Sequence, residues 1–230
     1  MKHIKFIATL LLLASTMPVL QSCLNDDNDD NNYNMQIPSA LVTVKNDGGK
    51  LMLQLDDSTK LYPSNITKPP YGDKEVRALV NYNKVNSSNM NSVYVNWIDS
   101  IRTKNMAADL GTNNDTKYGT DPLEIVKDWV TVVEDGYLTL RFRTYFGYNI
   151  THELNLVKGS NPYEVVLHHN ANGDKSGILK DGLIAFKLDS LPDTEGKTVD
   201  LTVKWNSFSG EKTATFKYRS RLTSFISSSK

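Results

Sequence analysis

The chain has 230 residues, 39% of them hydrophobic and 23% charged, with 26 basic side chains against 26 acidic ones. So even a balance sets up no field that would hold a nucleic acid or a polyanion, and neither is expected as a partner. The lone cysteine, Cys23, excludes an intramolecular disulfide and any paired-cysteine metal site.

The chain opens with the cationic Met1–Lys5, then the apolar run FIATLLLLA from Phe6 to Ala14 and a looser apolar stretch to Leu20. A membrane-spanning helix needs about 20 apolar residues, and Thr9, Ser15, Thr16 and Pro18 interrupt this one. A basic start with a short apolar centre reads as a secretory leader, residues 1–22. Ser22 before Cys23, with Leu20 third upstream, resembles a bacterial lipobox. That resemblance implies cleavage before Cys23, a diacylglyceryl group on its sulfur and an acyl chain on the new amino terminus. Two or more acyl chains anchor a protein stably without a transmembrane helix.

Residues 23–36 are rich in Asn and Asp and carry few large apolar groups, so they cannot offset their chain entropy and should form a tether. Asp26, Asp27, Asp29 and Asp30 resemble the surface-export signal of lipoproteins in some Gram-negative lineages. The expected location is the outer membrane, lipid-anchored and facing the medium, with a periplasm-facing anchor as the alternative. Losing Lys2 and Lys5 with the leader leaves 24 basic against 26 acidic residues, a mature net charge of about −2.

Beyond the tether the dominant signal is period two. Strand candidates fall at 40–45, 50–55, 60–62, 75–82 and 93–101, with Leu51, Leu53 and Leu55 or Val93, Val95 and Trp97 sharing a face. After a stretch rich in Gly, Asn, Asp and Thr at 103–121, seven or eight more candidates follow. Among them are Leu138, Leu140 and Phe142; Leu154 and Leu156; Ile184, Phe186 and Leu188; Val199 to Trp205; and Ala214, Phe216 and Tyr218. Asp121-Pro122 could cap a short helix, but Ile125, Val126 and Val130 favour a strand there. Turn signals separate the runs at Asn46–Gly49, Glu134–Gly136, Lys180–Gly182 and Ser207–Gly210. The chain reads as all-β. Five strands suit an OB-like barrel over 37–105. A linker at 106–120 would then lead to an immunoglobulin-like β-sandwich over 121–220, with a tail at 221–230.

DWVTVVEDGYLTLRF (128–142) and THELNLVKG (151–159), with VTVKNDGGKLMLQLDDSTKLYPSN (42–65) upstream, resemble the NigD-like lipoproteins. The resemblance implies an amino-terminal OB-like domain, a carboxy-terminal sandwich and a role in bacteriocin immunity or similar protein binding. The matching residues Trp129, Asp135-Gly136, Leu138 and Leu140 are of the kind that build a sheet.

No catalytic signature is present: there is no Gly-x-Ser-x-Gly elbow, phosphate loop or His-Glu-x-x-His. No enzyme activity, cofactor or metal is expected. His168-His169 is the most tempting metal pair, but strand neighbours point to opposite faces, and whether His152 approaches them is open. Asp56-Asp57 and Glu134-Asp135 sit beside turns, where carboxylates are usually solvated. Arg77, Arg102 and Lys104 are scattered. Binding is the expected task. TYFGYN offers Tyr145, Phe146 and Tyr148 between two strands, for a protein or glycan ligand; the alternative is that one or two of them fold back as core. A second loop carries Pro69, Pro70 and Tyr71. Ser58, Ser100 and Ser190 follow aspartates in a pattern resembling O-glycan acceptors of exported proteins.

Overall fold

A computed structural model describes residues 36–85 and 91–221. The leader, Cys23 and the four tether aspartates lie outside the described residues. The first five strands are β1 (Ala40–Asp47), β2 (Lys50–Gln54), β3 (Lys60–Pro63), β4 (Val76–Lys84) and β5 (Ser92–Ser100). They close into a barrel in the order β1-β2-β3-β5-β4, parallel only at β3–β5. Alternate residues fill it: Val42 and Val44, Leu51 and Leu53, Ala78 and Val80, Val93 and Val95. The Asn46–Gly49 signal is a hairpin turn, where the Gly49 N–H donates to Asn46 Oδ1 at 2.7 Å. The Pro69–Tyr71 loop packs Tyr71, half-buried, against the barrel core rather than presenting it.

Nine strands build the second unit. They are β6 (Arg102–Asn105), β7 (Glu124–Val126), β8 (Val132–Glu134), β9 (Tyr137–Phe146), β10 (Glu153–Lys158), β11 (Glu164–Asn170), β12 (Ile178–Lys187), β13 (Val199–Ser207) and β14 (Gly210–Tyr218). One sheet runs β6-β12-β9-β7, with β8 also on β9; the other runs β10-β11-β13-β14. Leu138, Leu140, Phe142, Ile184 and Phe186 face Leu154, Leu156, Leu167, Leu201 and Val203 across the interior. The Trp205 indole N–H, buried there, has no acceptor among the described residues.

The region between the units differs from the sequence reading. Arg102–Asn105, placed in the barrel segment by alternation, pair in parallel with β12. The stretch that follows holds a one-turn 3-10 segment and a short helix, α1 (Asn114–Tyr118), too brief to show a period. Gly119 ends α1 at φ 84° with its backbone against β11, where a Cβ would meet the His169 carbonyl oxygen at 2.6 Å.

The outward faces of β1 and β4 are buried as well, because the sandwich covers them. Leu41 packs with Ile101 and Ala185, flanked by Leu79, Val132 and Leu183. Beside this patch lies Arg77, 0% exposed. Its Nη1 donates to Thr43 in the barrel (3.0 Å), and its Nε and Nη2 donate to Thr139 (3.3 Å) and Glu134 (3.2 Å) in the sandwich. Its backbone N–H donates to Thr103 Oγ1 at 3.0 Å. Burial pulls the guanidinium below its ordinary value, and Glu134 and then Asp135 pull it back. Burial likewise raises Glu134, and Arg77 only partly offsets this. For both partners the desolvation cost thus exceeds what the pairing returns.

Asp135-Gly136, with φ of 46° and 72°, forms the tight turn between β8 and β9 and plugs the seam. Asp135 pairs with Lys45 (2.9 Å) from the barrel and Arg221 (2.8 Å), which follows β14. Arg221 also binds Glu75 at 2.5 Å and lies 4.9 Å over the Tyr137 ring. The Tyr137 hydroxyl donates to Glu75 at 2.6 Å. The Glu134-Asp135 carboxylates, read as solvated turn residues, instead clamp the barrel. Local sequence could not show this, because every partner but one another is dozens of residues away.

Removing one member of a buried charge pair leaves the other uncompensated, at a cost of about 3–5 kcal/mol. Arg77→Ala should approach that loss in urea-induced unfolding. Glu134→Gln should cost clearly less, since Glu134 is 34% exposed and can recruit water.

Candidate functional site

The far end of the sandwich is set by where β9 stops. Leu138 through Phe142 alternate inward and outward, and the alternation continues to Thr144 inward and Tyr145 outward. Tyr145 is 38% exposed and takes the Phe208 ring edge-on at 5.4 Å. Phe208 comes from the β13–β14 turn, and Leu179 lies opposite Tyr145 on β12. Phe146 turns in and packs against the core, while Tyr148 is 70% exposed. Ile150 and Ile178 are exposed as well. Of the three aromatics expected on this loop, two face outward and one anchors it. Phe208, Leu179 and Ile178, which join them here, could not be assigned to this end from sequence, since the first arrives from the β13–β14 turn and the other two from the start of β12.

A buried polar chain holds the loop. His152 stacks on Phe146, with ring centroids 4.4 Å apart. Its Nδ1 lies 3.0 Å from His169 Nε2, and its Nε2 lies 3.4 Å from Asp174 Oδ2. Asp174 accepts the N–H groups of Gly147 (2.9 and 3.0 Å) and Tyr148 (3.1 Å). Burial opposes its charge, yet the Tyr148 and Gly147 N–H groups with His152 outweigh that and hold the carboxyl below its usual range. His168 points the other way, toward Gly119 O (3.1 Å) and the Tyr118 ring of α1. The His168–His169 pair is therefore split across the strand. His152 does approach His169, but the two nitrogens face one another rather than a common third point. Among the described residues no group of three or more His, Cys, Asp or Glu side chains is placed to hold a metal ion.

Trp129 needs a correction. Read as a sheet-building residue, it instead stands on the turn between β7 and β8 and is 55% exposed. Sequence periodicity cannot distinguish the two, because the turn interrupts an apolar run without a glycine. It lines a cavity of about 310 Å³ with Pro38, Leu79, Asp128, Arg141 and Asp181. The three serines of the acceptor pattern are all exposed: Ser58 in the β2–β3 turn, Ser100 at the end of β5 and Ser190 after β12. Among the described residues no helix is long and apolar enough to cross a membrane.

A closed five-stranded barrel joined through a polar seam to a two-sheet sandwich, with an exposed aromatic end, defines a two-domain all-β protein of the OB-plus-sandwich class. The chain belongs to the NigD-like family: residues 41–101 match its N-terminal OB domain and residues 105–218 its C-terminal β-sandwich domain. Among solved structures, it is similar to a protein of Parabacteroides distasonis named provisionally as toxin-related. The identity is 38% and the TM-score 0.70, over 79% of this chain and 92% of that one. A NigD-like immunity protein of Bacteroides caccae shares 19% identity at TM-score 0.59, over 78% and 96% of the two chains. A provisionally named lipoprotein of Bacteroides fragilis shares 14% identity at TM-score 0.51, over 79% and 97%. The last two likenesses concern the fold. No curated protein matches the chain.

One N–H must sit between His152 and His169, and that bond is lost when both rings are protonated. Burial and then His152 hold His169 below the ordinary 6.5. A depressed folded value means that stability is full above the unfolded value and is lost as pH falls through the folded one. The thermal midpoint should therefore drop by roughly 2–4 °C between pH 7 and pH 5, the equivalent of about one hydrogen bond. His169→Gln, which does not titrate, should flatten that drop.

Proposed function

We propose that this chain is a lipid-anchored envelope protein that binds a polypeptide partner through the open end of its sandwich, in the manner of an immunity protein. The observation that carries the reading is the exposed set of Tyr145, Tyr148, Phe208, Leu179 and Ile178, gathered from three connections at one end of the sandwich onto a buried histidine–aspartate support. A monomer gains nothing in folding by leaving such rings in water, and rigid aromatic anchors dominate protein interfaces. The names of two relatives, toxin-related and NigD-like immunity protein, point to the same class of partner.

The anchor rests on Leu20, Ser22 and Cys23, and the name of the Bacteroides fragilis structure agrees with it. Asp26, Asp27, Asp29 and Asp30 then serve as the address that carries the protein to the outer face of the outer membrane. No catalytic step is part of this reading.

Cells carrying the wild-type chain should lose it to externally added protease, and the variant with all four aspartates changed to Ala should be protected. Protection of both forms would turn the search toward partners inside the envelope. Cys23→Ser should abolish incorporation of labelled palmitate and release the chain from the membrane fraction.

The partner surface is tested by exposing cells to culture supernatants of related strains. Survival should depend on the wild-type chain and fall by about tenfold or more in the Tyr145→Ala/Tyr148→Ala variant, the order expected for two anchor residues. Survival that is the same with and without the gene would sink the immunity reading.

A further inference from the structure

We propose that the recess beside Trp129 binds a neutral pyranose sugar, the indole stacking on the ring and Asp128, Arg141 and Asp181 meeting its hydroxyls. This site is separate from the sandwich end and does not rest on the partner reading above.

The turn that carries Trp129 is built to hold it still. Asp128 Oδ1 accepts the N–H groups of Val130 (3.1 Å) and Thr131 (3.2 Å). The Thr131 hydroxyl donates to Val126 O (2.6 Å) and accepts from the Arg141 N–H (3.1 Å). Two of these bonds close the turn on itself, one ties it to β7 and one to β9, and the indole takes part in none of them. A large ring is left exposed on a rigid mount, which lowers the ordering cost of any ligand that covers it.

The recess has an apolar floor and a polar wall. Pro38 and Leu79 come from the barrel side, and Val130 and Leu183 from the sandwich. Its volume, about 310 Å³, lies at the small end of ligand pockets. The polar wall is a lattice of ion pairs. Asp128 Oδ2 binds Arg141 at 2.8 Å, the Arg141 Nε donates to Asp181 at 2.7 Å, and the Arg143 Nε donates to Asp181 at 2.5 Å. The hydrogen bond from Arg143, with Arg141, holds the Asp181 carboxyl at about 2, so it stays an acceptor across the physiological range.

Asp128, Asp181 and Arg141 line the recess, and Arg143, outside the lining, pairs with Asp181, so the four charges cancel, which selects the ligand. Neither an anion nor a cation gains from the net charge of the wall, so a neutral molecule is favoured. It must offer one flat apolar face to the indole, and both donors and acceptors around its rim to the carboxylates and guanidinium. A pyranose ring has that combination. A peptide is also neutral, but it carries its donors and acceptors along a line rather than around a disc.

The test uses the whole mature chain with Cys23→Ser, so that it stays in solution. Calorimetry and tryptophan emission would follow its titration with the neutral hexasaccharides of glucose (α-1,4, β-1,4 and β-1,3), mannose and xylose. Oligogalacturonate, deacetylated chitohexaose and a proline-rich peptide serve as anionic, cationic and peptide competitors. Of the three tryptophans, Trp205 is buried and Trp97 half-buried, so a blue shift on binding reports chiefly on Trp129.

At least one neutral hexasaccharide should bind saturably. Trp129→Ala should weaken it by about tenfold or more, the order of one lost aromatic stack. Trp129→Phe should retain part of the affinity, and Tyr94→Ala, an exposed aromatic on β5, should retain all of it. Thermal midpoints should match wild type in every variant. The proposal is overturned by any of three results: no neutral hexasaccharide binds at millimolar concentration, binding survives Trp129→Ala, or a charged or peptide competitor binds more tightly than every neutral sugar.

Discussion

A guanidinium taken wholly out of water governs this molecule. Arg77 lies on the outer face of a barrel strand, where a charged side chain would ordinarily reach solvent, and the sandwich closes over it. Three of its donors end on Thr43, Thr139 and Glu134, residues that belong to two different domains. Once desolvated, the charge must keep all of these partners, because losing any one strands a buried polar group. An apolar residue of similar volume would fill the same space and impose no orientation. The fork-like guanidinium accepts only one, and the Leu41–Ile101–Ala185 patch beside it supplies the area that holds the surfaces together. Asp135, Lys45, Arg221 and Glu75 repeat the arrangement at the seam's edge, less buried and therefore individually weaker.

The seam also spaces the surfaces that matter for recognition. β9 begins there at Tyr137 and runs for 10 residues to Phe146, so the aromatic end stands roughly 30 Å from the barrel contact. Trp129 sits near the barrel end of the same sheet, and Tyr148 at the other. The supports of the two differ in kind. The Trp129 turn hangs on the side-chain oxygens of Asp128 and Thr131. The Tyr148 loop hangs on Asp174 and on the facing rings of His152 and His169, of which burial holds His169 below its ordinary value. Mild acid should therefore act on the Tyr148 surface first.

Most of the fold was legible because the physics that forms it is local. Alternation of Val and Leu with polar residues marked the five barrel strands to within one or two positions, and Asn46–Gly49 and Asp135-Gly136 marked hairpins; Lys180–Gly182, read as a turn, instead lies inside β12, where Gly182 makes room for the Phe142 ring. The boundary between the units was blurred because Arg102–Asn105 continue the polar alternation of β5 while pairing with β12, some 80 residues away. The candidate surfaces were less legible. Tyr145 and Tyr148 were visible as aromatics about a glycine, but their companions Phe208 and Leu179 were not. Phe208 sits in a Ser-Phe-Ser-Gly turn that reads as punctuation, and Leu179 sits with Ile178 at the exposed start of a strand whose later apolar residues are buried or half-buried. Trp129 looked like core because tryptophan usually is. Only the turn fixed by Asp128 and Thr131, a product of side-chain bonds to backbone, puts it in water. Arg77 was one scattered cation among several until the sandwich was laid over it.

Only Ile101 separates β5 from β6, and its N–H is held by the Arg77 carbonyl at 2.8 Å. The two units therefore share a continuous ribbon rather than a hinge, which has a mechanical meaning. Tension applied between the start of β1 and Tyr148 would run along β1, through the seam and along β9. It loads their antiparallel ladders in shear, so many hydrogen bonds resist together. Two domains on a slack linker would swivel until the linker was taut and would transmit little torque before then. Here the sandwich follows the barrel, so the orientation of one unit sets that of the other.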